Sequence, residues 1–113
     1  MEDFLYHYKA FVTRVIDGDT IEADIDLGLG VWVKGMRIRL YGINAPEIRG
    51  DEAWLGVESK NWLSSKVLNR EIVLKTVYDR RGKFGRLLGE VWLDSVNINQ
   101  KMVEQGLAKE VDY

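Results

Sequence analysis

Two arginines and a glutamate share the stretch 37–47, and their side chains suit the chemistry of a phosphate group. Arg37 and Arg39 alternate with apolar residues, so they should lie on one face of a strand whose other face is buried. Gly42 and Pro46 then end the strand pattern and leave Glu47 on a loop. A planar guanidinium on a strand can pair with two phosphate oxygens, and here a carboxylate follows close behind it.

Two further segments carry charge in turns. Segment 15–20 joins two apolar runs, which predicts a hairpin turn that holds Asp17 and Asp19. Segment 82–86 separates two later strand patterns, which places Lys83 and Arg86 on a second loop. If all three turns lie on one rim of a barrel, carboxylates and arginines converge there.

Four segments, taken in order, resemble the staphylococcal nuclease (thermonuclease) superfamily of calcium-dependent phosphodiesterases. They are Asp-Gly-Asp-Thr at 17–20, Arg-Leu-Tyr-Gly-Ile-Asn-Ala-Pro-Glu at 39–47, Lys-Phe-Gly-Arg at 83–86 and Val-Glu-Gln-Gly-Leu-Ala at 103–108. Each segment alone is a weak signal, but their order and spacing over nearly the whole chain are specific. The resemblance implies an OB-fold, an α+β architecture with a five-stranded Greek-key barrel and two helices.

The resemblance also implies roles for individual residues. Arg39 and Arg86 match the two phosphate-binding arginines, and Glu47 matches the general base or water-orienting carboxylate. The alternative for Glu47 is an ordinary ion pair with Arg39. Asp17 is expected to cap its turn or to support the site from behind. Residues expected to contact the substrate are Lys83, Phe84 and Arg37.

Calcium is the cofactor that the resemblance implies, since it prefers hard oxygen ligands. Asp19 matches a calcium carboxylate and the backbone carbonyl of Ala45 matches another ligand. Asn44 stands where the family prototype has its second metal-binding aspartate, so one negative charge is missing. Ala45 itself replaces a threonine. We therefore expect calcium to bind more weakly here than in the prototype.

Periodicity supports the same architecture. Strands are predicted at 9–16, 20–26, 36–41, 72–78 and 87–93, after an N-terminal lead-in at 1–8. A helix is predicted at about 51–69 from four-residue spacing of Leu55, Ser59, Leu63 and Val67. A second helix should begin with Asn99 as N-cap and end at Gly106. The sequence stops at Tyr113, without the prototype's further C-terminal helix.

Composition bounds the remaining choices. The 113 residues suit one domain, 1–113, and cysteine is absent, which excludes disulfides and thiolate metal sites. No apolar run is long enough to span a bilayer, and no signal peptide follows Met1, so no membrane contact is expected and the cytoplasm is favoured. The absence of cysteine leaves the compartment open, because such a protein folds in either redox environment. The four tryptophans are interpreted as packing residues, although Trp32 could instead be an exposed stacking residue.

Two functions remain open at this point. The first is a metal-dependent endonuclease, expected to act as a monomer on single-stranded DNA or RNA. The second is a non-catalytic nuclease-like module that binds nucleic acid or a protein. The net charge of −2 favours the second, because proteins that act on nucleic acid usually have a basic footprint. Asn44 also favours it, because the expected metal site lacks one negative charge. The joint presence of Asp19, Arg39, Glu47 and Arg86 favours the first.

Overall fold

Five strands close into a barrel, and two helices pack against it, as the OB-fold prediction requires. The computed structural model describes residues 5–77 and 87–111. Within that part of the chain the elements are β1 (His7–Asp17), β2 (Thr20–Gly28), β3 (Val31–Leu40), β4 (Ile43–Asn44), α1 (Ala53–Val67), β5 (Glu71–Val77), β6 (Leu87–Leu93), β7 (Val96–Asn97), α2 (Ile98–Glu104) and β8 (Lys109–Glu110).

The barrel is closed by one parallel contact. β1, β2 and β3 form an antiparallel meander, and β5 pairs with β1 on one side and β6 on the other. β6 then pairs with β3 in parallel, with Ile38 opposite Leu87 and Leu40 opposite Gly89. This contact brings the end of β3, which carries Arg39, beside the start of β6.

Alternation along the strands decides which side chains form the core. In β2, Ile21, Ala23 and Ile25 are buried, whereas the residues between them are partly exposed. Ile38 and Leu40 of β3 are fully buried, so Arg37 and Arg39 point to the outer face as predicted. The two-residue period thus fixes the functional face of β3.

Helix α1 lies over the barrel through residues spaced three or four apart. Its buried positions are Gly56, Ser59, Leu63 and Val67. The prediction named Leu55 for the first of these, but Leu55 is only half-buried. Gly56 lies inward instead because α1 runs so close to the Glu47–Ile48 backbone that a β-carbon on Gly56 would overlap the Glu47 carbonyl group.

The predicted N-cap of the second helix is wrong by two residues. Asn97 caps α2, and its side chain accepts a hydrogen bond from the Gln100 backbone N–H. Asn99 is instead inside α2 and only 3% exposed. The predicted end is correct, since Gly106 follows α2 with φ 73°, a left-handed conformation that glycine adopts readily.

Other predicted bounds shift modestly. β1 begins at His7, within the predicted lead-in, and β3 begins at Val31 rather than at residue 36, so it includes Trp32. The interpretation of all four tryptophans as packing residues is wrong for Trp54, which is 66% exposed. Trp32 is also exposed, at 46%, as its alternative interpretation required. Within the described residues, no helix combines the length and apolar character needed to cross a membrane.

Candidate active site

The turn between β1 and β2 fixes the position of Asp19. Asp17 accepts a hydrogen bond from the Asp19 backbone N–H at 3.1 Å, which is the turn-capping role predicted for it. Gly18 lets this turn approach the rest of the protein, because a β-carbon there would lie 2.7 Å from the β-carbons of both Ala45 and Ser59. Asp19 is therefore held by its own turn and by close packing beneath it.

The Asp19 side chain is buried, and both of its carboxylate oxygens have hydrogen-bonding partners. Its Oδ2 lies 3.2 Å from Nη1 of Arg39 and accepts the backbone N–H of Ala45 at 2.8 Å. Its Oδ1 accepts the Thr20 hydroxyl at 3.1 Å. Both partners of the ion pair have side chains that are only 11% exposed, so the pair is little weakened by solvent screening.

Arg39 joins Asp19 to Asn44. While Nη1 faces Asp19, Nη2 donates to the Oδ1 of Asn44 at 3.3 Å. Nη1 also donates to the backbone carbonyl of Leu40 at 3.2 Å. The guanidinium therefore lies between the two side chains that the sequence predicts as calcium ligands.

The environment of Asp19 disfavours its charge. Burial, the largest cause, and a side-chain hydrogen bond with Asp17 together raise the pKa of Asp19 to about 6. The Ala45 N–H and the Arg39 charge act in the opposite direction but do not cancel the effect of burial. A further cation beside Asp19 would therefore favour its ionised form.

Glu47 is exposed on the loop that follows β4. Its backbone is fixed by the close approach of Gly56 in α1. Within the described residues no ion pair joins Glu47 to Arg39, which pairs with Asp19 instead. The alternative of an ordinary Arg39–Glu47 ion pair is therefore not what the structure shows, and the Glu47 carboxylate faces solvent.

The remaining predicted site residues divide into two groups. Arg37 is exposed on the same face of β3 as Arg39, opposite Glu22 of β2. Lys83, Phe84 and Arg86 lie outside the described residues, 5–77 and 87–111. Arg86 immediately precedes Leu87 in the sequence, and Leu87 is the residue that pairs with Ile38.

The donor atoms near Asp19 have the chemistry that calcium prefers. Asp19 supplies a carboxylate and Asn44 an amide oxygen, whereas Ala45 turns its backbone N–H toward Asp19. Among the described residues, no cluster of three or more His, Cys, Asp or Glu side chains is placed to hold a metal ion. The side-chain oxygens of Asp19 and Asn44 are therefore of the type that calcium prefers, and only one of the two side chains is a carboxylate.

Sequence reasoning missed the role of Asn99, which ties three segments together. Its amide donates to the carbonyls of Tyr41 and Gly89 at 2.9 and 3.1 Å, and its Oδ1 accepts the Val91 N–H at 3.1 Å. These bonds fix the end of β3 against β6 and α2. The only available signal was a polar residue in the apolar pattern of α2, and that pattern was interpreted as a cap.

Three relatives illustrate what the chain is similar to. A protein of Escherichia coli O157:H7 described as an uncharacterized endonuclease is 40% identical over 98 residues, which cover 86% of this chain and 57% of that protein. The thermonuclease of Staphylococcus intermedius is 32% identical over 105 residues, 90% of this chain and 59% of that protein. The endonuclease YhcR of Bacillus subtilis is 32% identical over 111 residues, 89% of this chain but 9% of that protein.

The chain thus spans less than three fifths of the length of the first two relatives. The family profile described as staphylococcal nuclease homologue matches residues 37–113, from the two arginines of β3 to the end of the sequence. That match covers more than half of the chain, and it includes Arg39, Asn44 and Glu47. The chain belongs to the staphylococcal nuclease homologue family.

Proposed function

We propose that this protein is a calcium-dependent nuclease that hydrolyses phosphodiester bonds in single-stranded DNA or RNA. One observation carries the proposal: Arg39 is held at the rim of the barrel by Asp19 and Asn44, with the Glu47 carboxylate exposed on the adjoining loop. The names of the endonuclease and thermonuclease relatives support it further.

Arg39 would bind the scissile phosphate. Its guanidinium offers N–H donors in a fixed plane, and it never loses its proton, so it can pair with two non-bridging oxygens. Negative charge builds up on those oxygens during hydrolysis, and a fixed cation stabilises them most in the transition state. Arg86 is proposed as the second arginine, and Lys83, Phe84 and Arg37 as substrate contacts.

Glu47 would orient a water molecule and accept its proton. Its carboxylate is exposed to solvent, and the close packing of its backbone on Gly56 limits where it can move. The bond from the water oxygen to phosphorus then forms as the bond to the leaving oxygen breaks. Glu47 thus supplies the base and Arg39 the positive charge.

The calcium ion would be held by Asp19, Asn44 and the Ala45 carbonyl. When bound, it neutralises phosphate charge and polarises the attacking water. Asp19 must be ionised to bind it, so the raised pKa of this carboxyl sets a lower pH limit for binding.

The test is cleavage of a single-stranded DNA oligonucleotide by the purified protein. Cleavage should occur in millimolar calcium and should stop when a chelator is added. Glu47→Gln and Arg86→Ala should each lower turnover by a factor on the order of a hundred or more, because each removes a group that acts in the transition state. Glu52→Gln is the matched control, since Glu52 is also exposed and carboxylate-bearing, and it should cleave normally.

Two results would contradict the proposal. One is activity that persists in chelator or separates from the protein on chromatography. The other is near-normal turnover in Glu47→Gln. Tight oligonucleotide binding with no cleavage would favour the second candidate, a non-catalytic binding module, for which Asn44 and the net charge of −2 are the supporting observations.

A further inference from the structure

A groove on the far part of α1 combines an aromatic ring with clustered positive charge. It has a volume of about 300 Å³ and lies between the C-terminal half of α1, the β6–β7 turn and α2. Trp62, Lys66, Arg70 and Lys101 line it, and we call it the basic groove. It contains none of the residues assigned to cleavage.

The basic groove is positively charged, although the whole protein has a net negative charge. Three cations line it, with Asp94 as the one carboxylate. Within residues 5–77 and 87–111, no ion pair involves Lys66, Arg70 or Lys101. A concave surface with unpaired cations concentrates positive potential and attracts anions, even on a protein whose net charge is −2.

A second groove serves as a comparison. It lies on the outer face of β1, β2 and β3, where Asp24, Asp26 and Glu71 outnumber two lysines. Both of those lysines are already paired, Lys9 with Glu71 and Lys34 with Asp24. Positive charge is therefore concentrated in the basic groove and compensated in the other.

Trp62 adds a feature that a simple anion site does not need. The ring is half-buried and packs against the core, so its position is fixed, yet it lines the groove. Lys66 Nζ lies 5.6 Å from its centroid. Val96, which is 44% exposed, contributes further apolar surface. Proteins that hold single-stranded nucleic acid combine such aromatic platforms for bases with cations for phosphates.

Helix α1 connects the basic groove to the candidate active site. Ser59 packs beneath Gly18 of the Asp19 turn. Lys66 lies two turns further along the helix, about 10 Å at the rise of an α-helix. The basic groove and the Asp19 turn therefore lie against the same helix.

We propose that the basic groove is a second binding site for single-stranded nucleic acid, which holds the strand while Arg39 and Glu47 act on it. This inference rests on the proposed nuclease function. An acidic protein segment would match the charges as well, but it would not use the part of the Trp62 ring that lines the groove.

The first experiment measures binding without cleavage. A fluorescein-labelled oligothymidylate of 16 nucleotides is titrated with the protein in chelator, at several salt concentrations. Replacing Lys66, Arg70 and Lys101 together by Ala should weaken binding at low salt by at least tenfold. The slope of log affinity against log salt should fall by about 2, since each lost phosphate contact on a single strand contributes about 0.7.

The matched control removes the same charge elsewhere. Lys9, Lys34 and Lys75 are exposed lysines outside the basic groove, and their joint replacement by Ala should change affinity less than twofold. Should the triple groove variant lose its cooperative melting, the milder pair Lys66→Gln with Lys101→Gln tests the same point, with a smaller expected loss.

The second experiment compares substrate lengths in calcium. The groove variant should raise KM for the 16-nucleotide substrate and leave kcat/KM for a dinucleotide unchanged. If the protein proves to have no nuclease activity, the binding experiment still decides the question. Unchanged affinity and salt slope would overturn the proposal while leaving the nuclease assignment intact. Displacement of the oligonucleotide by far lower concentrations of polyglutamate would also overturn it, in favour of an acidic protein partner.

Discussion

At the residue scale, Arg39 is held in one conformation before any substrate binds. Asp19 and Asn44 hold its guanidinium from two sides, at 3.2 and 3.3 Å, and in the proposed reaction its partner would instead be the phosphate. An arginine held in place in this way loses less side-chain freedom when phosphate arrives. A cation that binds the oxygens of Asp19 and Asn44 would also release Arg39 toward the substrate.

Asn44→Asp should tighten calcium binding by about one or two powers of ten, because it restores a second carboxylate to the metal site. Arg39 already lies between positions 19 and 44, so it offsets part of the new repulsion. The melting temperature without metal should therefore fall only slightly, and added calcium should raise it by mass action. Isothermal titration calorimetry measures the calcium affinity, and differential scanning calorimetry measures the melting temperature.

Asn61→Asp is the control for that substitution, since Asn61 is exposed on α1 and the charge change is the same. It should leave calcium affinity unaltered. If Asn44→Asp behaves like this control, residue 44 is not a metal ligand and the non-catalytic module becomes the better description.

The residues of the site were predictable to different degrees. Asp19, Arg39 and Asn44 come together as expected, because their motif includes the turns and the strand that position them. The tie through Asn99 was not predictable, since its partners are backbone groups of Tyr41, Gly89 and Val91. Side-chain contacts to distant backbone leave no periodic pattern in a sequence.

At the element scale, the two asparagines at the start of α2 have different roles: one caps the helix and the other bonds to distant segments. Asn97 is the N-cap and is half-exposed, whereas Asn99 is buried and makes three hydrogen bonds. Both are polar residues at the same helix end, so sequence alone favours either as the cap. The structure assigns a local role to one and a long-range role to the other.

Asn97→Ala should lower the free energy of unfolding by about 0.5–2 kcal/mol, the usual cost of losing an N-cap. Asn99→Ala should cost more, on the order of 3 kcal/mol or above, because it leaves buried backbone groups without partners. Urea denaturation of the two variants measures both values, and each serves as the control for the other. A larger loss in Asn97→Ala than in Asn99→Ala would show that the hydrogen bonds of Asn99 contribute less to stability than the N-cap does.

Closure of the barrel is the property of the whole molecule that local patterns predict least. The strands of the meander follow from alternation and turn residues, and they appear nearly where expected. The parallel contact of Ile38 with Leu87 joins strands far apart in the chain, and no local period encodes it. It was predicted only because the resemblance to a known fold supplied the topology.

The pH dependence of stability is a prediction for the folded chain without metal. The pKa of Asp19 is about 6 in the folded protein, above its ordinary value of 3.8, so ionisation costs the folded state. This carboxyl therefore imposes no penalty below about pH 4, and stability falls as pH rises through about 6, by on the order of 2–3 kcal/mol. Urea denaturation in chelator from pH 4 to pH 7 measures it.

Other carboxylates also titrate in this range, so the informative quantity is a difference between variants. Asp19→Asn should remove the loss of stability, whereas Asp94→Asn, an exposed control, should keep it. Calcium should restore stability above pH 6, since it binds the ionised form. A wild-type curve parallel to that of Asp19→Asn would show that the Asp19 pKa is not raised.

The β3–β6 contact has a consequence for the order in which the molecule folds. Asp19 and Arg39 lie in the β1–β2–β3 meander, so short-range hairpin formation can bring them together, whereas Asn44 lies in β4, which pairs with β8. The contact between Ile38 and Leu87 must close a loop of about 50 residues, and such distant contacts form slowly. We therefore expect the Asp19–Arg39 pair to form before the β3–β6 contact closes the barrel.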